Sequence, residues 1–300
     1  MIVIFTQVAV LFAFASIGFS LCKAKIISSE SSKFLSTLVV WLFLPATTFK
    51  SFSTNFTVKY ITEKYDIIIT SAIAIIIIAT SAYFFSKVLT KDKYTRSVYT
   101  YSFTVPNSGY MGIPLTQALF GPGMLINLLI FTIPINIYLY TIGYCSLIKA
   151  KLTFKKLLNP PIFAMVLGAI IGLSGLTLPD FVADFLSVAS APLGPCTMLI
   201  LGMVLSEYKF GKLLKKPTNY IVVLFRLILI PTIFVSLFKL LGLTNLVMPA
   251  LIAYSMPCGL NTVVFPKLVG EDCETGAALT LISTVISMAT IPFMFTVFGV

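Results

Sequence analysis

The 300-residue chain contains no histidine. Without imidazole, the commonest metal ligand and the usual general base at neutral pH are both missing, which argues against a hydrolase or a zinc centre. Charge is scarce as well: 10% of residues are Asp, Glu, Lys or Arg, against roughly 25% in a soluble domain. Acid is scarcer than base, with 10 Asp+Glu against 21 Lys+Arg and a formal net charge of +11. The five cysteines, Cys22, Cys145, Cys196, Cys258 and Cys273, form no CxxC pair and read as reduced and structural. No enzyme activity, cofactor or metal site is expected. What fills the chain is apolar: 58% of residues are hydrophobic and the mean hydropathy is +1.02. The first partner implied is therefore a lipid bilayer, and the positive charge reads as basic loops on one membrane face rather than as a nucleic-acid surface.

Apolar stretches fall at about 2–21, 34–53, 66–86, 97–119, 124–148, 160–178, 182–206, 219–241, 246–269 and 276–299. At about 20 residues per crossing they predict ten transmembrane helices, so the fold class is an all-α polytopic membrane protein. The opening MIVIFTQVAVLFAFASIGF has no basic residue ahead of its apolar run and reads as a retained first span, not a cleaved signal. The five odd-numbered connections carry Lys23, Lys25, Lys33, Lys87, Lys91, Lys93, Arg96, Lys149, Lys151, Lys155, Lys156, Lys209, Lys212, Lys215, Lys216 and Lys267, sixteen of the 21 basic residues. The other side has Lys50, Lys59, Lys64 and Lys239. The positive-inside rule then places both termini outside.

Five helices per half require the halves to sit in opposite orientations, and the sequence carries traces of such a repeat. The fourth stretch reads YSFTVPNSGYMGIPL and the ninth YSMPCGLNTVVFP, so that Pro106 and Pro114 answer to Pro257 and Pro266. Thr132-Ile133-Pro134 matches Thr290-Ile291-Pro292, and Pro45 and Pro192 hold corresponding places in the second and seventh stretches. The expected organisation is a first repeat over 1–150 and a second, inverted repeat over 151–300.

Proline removes a backbone donor and clashes with the preceding turn. Pro106 and Pro257 should therefore break helices four and nine near mid-membrane, where freed backbone groups are tolerable only against protein or a polar cavity. Taken singly, Pro134, Pro231 and Pro292 read as mere kinks. Pro106 with Asn107, Ser108 and Gly109, and Pro257 with Gly259, Asn261 and Thr262, add polar or flexible residues at the break. Two half-helix N-termini meeting there would favour an anion, and an Asn amide can donate to a carboxylate without carrying charge. Arg226 lies inside the eighth stretch. It has three readings: a side chain snorkelling to the surface, a partner for backbone carbonyls, or a partner for substrate. Lys50 and Lys239, near the outer ends, read as anchors. No Asp or Glu sits in mid-span, so a relay of buried carboxylates is unsupported. An inside-negative potential favours export of an anion by about 2.3 kcal/mol per charge per 100 mV. Uptake would need a coupling ion, for which freed carbonyls and Thr104, Ser108, Asn261 or Thr262 are candidate sodium contacts.

Four runs, LFLPATTF, VPNSGYMGIPL, MPCGLNTVVFP and LISTVISMATIPF, resemble the auxin efflux carrier family, which includes bacterial malate and malonate permease-like proteins. The resemblance extends over the chain in span order, with Asn107 to Pro114 its most specific piece. It implies ten helices in two inverted five-helix repeats, with helices four and nine crossing at their prolines. It also implies an elevator-type carrier in which spans one, two, six and seven form the scaffold. Pro106 and Asn107 fall on the first crossover, Pro257 and Asn261 on the second. The short KAKLTFKKLLNPP connection places the chain with compact bacterial members, in an inner membrane, with a small mono- or dicarboxylate as the expected cargo. Arg226 is the one intramembrane cation available to a second carboxylate. A homodimer is left open. The nearest rival is a sodium-coupled organic anion symporter of the bile-acid transporter type, which shares ten helices and crossed breaks.

Overall fold

A computed structural model describes residues 2–151, 160–209, 211 and 214–298. Lys155, Lys156 and Lys212, counted above among the basic connections, lie outside the described residues, as does the side chain of Pro114. Among the described residues every extended element is a helix, and the single β-type contact is an isolated antiparallel bridge between Pro106 and Cys258.

The helices are α1 (Ile2–Lys23), α2 (Ser31–Asn55), α3 (Val58–Leu89) and α4 (Lys93–Thr104). After an interruption come α5 (Ile113–Phe131), entered through one wide turn over Ser108–Gly112, and α6 (Ile133–Leu147). Then follow α7 (Pro160–Ser174), α8 (Asp180–Leu205), α9 (Pro217–Leu240), α10 (Thr244–Ser255), α11 (Asn261–Leu268) and α12 (Glu274–Val297). Local chemistry sets several boundaries. The Asp92 carboxylate accepts from the Thr95 N–H at 2.6 Å and starts α4, and Thr57 starts α3 in the same way, each supplying an acceptor for a donor the helix leaves unpaired. Gly121 turns the chain with a φ of +74° inside α5, which a residue bearing Cβ resists.

Among the described residues five helices, α2, α3, α8, α9 and α12, are long and apolar enough to cross a membrane. A sixth crossing is reached if Gly123–Phe131 and α6, bent by 44°, count together. The ten apolar stretches therefore do not all become continuous spans. α4 and α10 have 12 residues each, about 18 Å of helix, which is short of a hydrocarbon core of about 30 Å. In both places the chain leaves the helix before resuming it.

Packing is closest where side chains are smallest. Gly168 and Gly172 lie four apart on α7, and a Cβ there would stand 2.8 Å from the Phe49 carbonyl oxygen and 2.6 Å from that of Phe52 on α2. On α8, a Cβ at Gly202 would stand 1.9 Å from the Ala15 oxygen of α1. These two pairs, α2 with α7 and α1 with α8, make the most extensive helix contacts among the described residues. Between lipid-bathed helices, close backbone approach of this kind replaces the missing hydrophobic drive.

The basic connections gather at one end. Lys149 pairs with Glu271, Lys267 with Glu207 at 2.6 Å, and the Tyr208 hydroxyl donates to Asp272 at 2.8 Å. The Tyr94 hydroxyl reaches the Leu147 and Asp272 carbonyls at 3.2 Å each. Glu30 and Lys33 border the same cleft as Lys267 and Glu271. At the opposite end, Lys239 donates to the Phe298 carbonyl at 2.8 Å and Lys50 to the Ser187 hydroxyl at 2.8 Å.

Candidate functional site

α4 ends at Thr104 and α10 at Ser255, and the residues after each run extended: Val105 has φ −102° and ψ 112°, and Met256 φ −70° and ψ 149°. The two extended pieces pair. The Asn107 N–H donates to the Pro257 carbonyl at 2.9 Å, and the Gly259 N–H to the Val105 carbonyl at 3.1 Å. Backbone groups that would otherwise lack partners in a buried setting are thus satisfied by each other. Gly259 permits this approach, since a Cβ there would lie 3.1 Å from the Val105 oxygen and 3.3 Å from the Tyr101 ring. The Cys258 N–H is taken by the Ser283 hydroxyl of α12 at 3.0 Å.

Helix resumes on both strands beside one cavity of about 70 Å³, room for roughly five waters if one needs about 10–15 Å³. Pro106, Asn107, Ser108, Gly109, Gly259 and Asn261 all line it. The first N–H groups of a helix have no carbonyl one turn behind them and carry the positive end of its dipole, so two such ends border one space. The lining is hydroxyls, amides and apolar groups, with no charged side chain.

The two asparagines differ. Asn261 Oδ1 accepts from the Tyr110 hydroxyl at 2.8 Å, which orients that amide. Asn107 is 2% exposed, and neither its Nδ2 nor its Oδ1 has a hydrogen-bond partner.

Three of the expected residues stand outside the lining. Pro257 contributes its carbonyl to the crossing. Thr262 is buried, donates to the Gly259 carbonyl at 3.0 Å and meets Thr280 at 3.3 Å. Arg226, fully buried, takes the carbonyl reading: it donates to Met256, Phe103 and Ala253 oxygens at 3.2 Å each, and its guanidinium lies 5.9 Å from the Tyr254 ring centre. The sequence does not mark Thr47, Thr48 and Ser51 of α2, nor Thr132, Asn136 and Tyr140, as site residues, and these complete the wall. Their signal is a hydroxyl or amide within an apolar run, which says nothing about which neighbour it faces.

Two paired helix interruptions beside an uncharged cavity, in an apolar helical chain, mark a multi-pass membrane protein. The chain belongs to the membrane transport protein family, whose match covers residues 3–150 and 145–295; this is the auxin efflux carrier family to which its motifs pointed. It is similar to an uncharacterized transporter of Methanocaldococcus jannaschii, 25% identical over 280 residues that span 89% of each chain. Family and relative both point to a transporter and not to an enzyme.

Proposed function

We propose that the protein is a secondary transporter that moves a small organic anion, a mono- or dicarboxylate, by elevator-type alternating access. The observation that carries this reading is the Asn107 amide, buried in the cavity wall with both polar atoms unpartnered. Leaving such a group unsatisfied costs about 1–3 kcal/mol, a cost that a ligand accepting from Nδ2 removes. A carboxylate oxygen fits that donor and the two helix N-termini beside it. The oriented Asn261 amide and the Ser108 hydroxyl complete the contacts, while the proline and glycine positions shape the crossing.

The same reading treats the twelve helical pieces as ten spans, with α4 continuing into the 108–120 segment and α10 into α11. The halves 1–150 and 151–300 then form inverted repeats whose breaks meet at the Pro106–Cys258 bridge. α1, α2, α7 and α8, held by their glycine contacts, make the scaffold, and the crossing moves against it. Clustering of the basic connections at one end supports a plasma-membrane location with that end cytoplasmic and both termini outside. Arg226 acts on the cargo only through the helix ends it holds.

Purified protein in liposomes should exchange labelled propionate or malonate in a saturable manner. Asn107→Ala should weaken the affinity about 10- to 100-fold, the equivalent of a charged hydrogen bond of about 1.5–3 kcal/mol, with protein yield unchanged. Export should slow when the membrane potential is collapsed, and sodium should have no effect. Unchanged affinity in Asn107→Ala removes the amide from the site, and a sodium requirement moves the protein to the symporter class.

A further inference from the structure

A second cavity, of about 540 Å³, adjoins the first and shares Thr47, Ser51, Gly109 and Tyr110 with its lining. It extends along α2 past Lys50, Thr54 and Asn55, so the polar residues of α2 recur at one-turn intervals from the buried site toward the helix end. Lys50 is 19 positions beyond the Ser31 start of α2, about 28 Å at 1.5 Å per residue, on the side away from the basic connections. Among the described residues it is the only charged one lining either cavity.

From its position in the sequence, Lys50 reads as a surface anchor, and an anchor extends its ammonium outward to water or headgroups. Here the half-buried side chain instead reaches across to Ser187 of α8 at 2.8 Å. A hydroxyl orients an ammonium without neutralising it. Among the described residues no carboxylate lies within ion-pair distance of Lys50. A cation placed in a low-dielectric cleft without a counter-charge focuses the field on anions entering that cleft.

Building on the transport reading above, we infer that Lys50 is the cationic contact on the substrate's route, holding a carboxylate in the outer cavity as it passes between Asn107 and the outer side. The site takes organic anions and favours those with two charges. Ser187 is the resting partner that the carboxylate displaces.

The test uses the full-length protein in liposomes with labelled propionate and malonate, which have equal carbon number and differ in charge. K50Q should raise KM for malonate at least about tenfold, within the range for electrostatic focusing, and for propionate by less, while K50R should stay within about threefold of the parent. The parent KM should rise as ionic strength increases past about 0.1 M, where the screening length falls to about 10 Å, and the K50Q KM should not. S187A keeps the charge and removes only the tie to α8, so it should resemble the parent. Equal KM in K50Q and parent, or an S187A loss matching that of K50Q, overturns the inference and leaves the transporter reading standing. Should K50Q fail to assemble, the salt series on the parent decides: a rising KM supports the contact and a flat one overturns it. If the parent exchanges neither probe, the organic-anion reading falls first and the role of Lys50 with it.

Discussion

Asn107 carries a burden that Asn261 does not. Tyr110 holds Asn261 in one orientation at 2.8 Å, whereas Asn107 is enclosed with its amide unsatisfied. Removing a buried polar group that had no partner is nearly neutral or stabilising in the empty protein. Asn107→Ala should therefore leave the melting temperature of the ligand-free protein unchanged or higher, even as it reduces the stabilisation that a fixed substrate concentration confers, a pair of results one thermal-unfolding series reads together. A fall in the ligand-free melting temperature would show that the amide is structural. Tyr110→Phe is the milder change: it releases the Asn261 amide at the expense of one neutral hydrogen bond of about 0.5–1.5 kcal/mol. Its expected effect is a loss of substrate affinity of about two- to tenfold, measured by the same titration.

At the level of elements, each interruption has two ends with opposite polarity. The N-terminal ends of the resumed helices border the cavity, and the C-terminal ends of α4 and α10 lie under Arg226, which donates to Phe103, Ala253 and Met256 carbonyls. A helix C-terminus leaves carbonyls unpaired and carries partial negative charge, so one fully buried guanidinium satisfies both helices at once and supplies the counter-charge. α9 brings it there through a widened turn over Phe225–Leu229, a local departure that often marks functional sites. Arg226→Met should lower the melting temperature on the order of 5–10 °C, since a few carbonyls at about 1–3 kcal/mol each lose their donor. Arg226→Lys should recover part of that loss, because an ammonium donates but cannot span the three-carbonyl fan. Exchange of propionate and malonate should fall in parallel in both variants. Selective loss of malonate would instead assign the guanidinium to the substrate.

For the molecule as a whole, the proposed movement requires that ties between scaffold and moving part be weak and reversible. Two such ties cross at the basic end: Glu207, just beyond α8, with Lys267 of α11 at 2.6 Å, and Tyr208 with Asp272 at 2.8 Å. A partly exposed ion pair contributes about 0.2–1 kcal/mol, enough to shift a two-state population up to about fivefold. Cys273 reports on this closure because it is 3% exposed and its thiol donates to the Val263 and Glu271 carbonyls. Glu207→Lys should speed maleimide labelling of Cys273 up to about fivefold, and the exchanged pair Glu207→Lys/Lys267→Glu should return it to the parent rate, both read by mass spectrometry. Equal labelling in all three proteins would place the ion pair outside the conformational change.

Composition and pattern are enough to put this chain in a membrane, because apolar runs with so few charges have no other solvent. They also assign the basic residues to alternate connections and mark 106–109 and 257–261 as the polar interruptions, since Pro, Gly and Asn are recognisable in any apolar run. Those same residues could not say how the interruptions meet. That Asn107 and Gly259 exchange backbone hydrogen bonds with Pro257 and Val105, that of the two asparagines beside the crossing Asn107 is the one with both amide atoms unpartnered, and that Arg226 faces carbonyls instead of the cavity depend on contacts between residues distant in the sequence. Lys50 shows the limit best. A lysine near a helix end looks like an anchor until α8 is packed beside α2, because one-dimensional pattern gives depth in the membrane while direction around the helix axis is set by which neighbour fills each face.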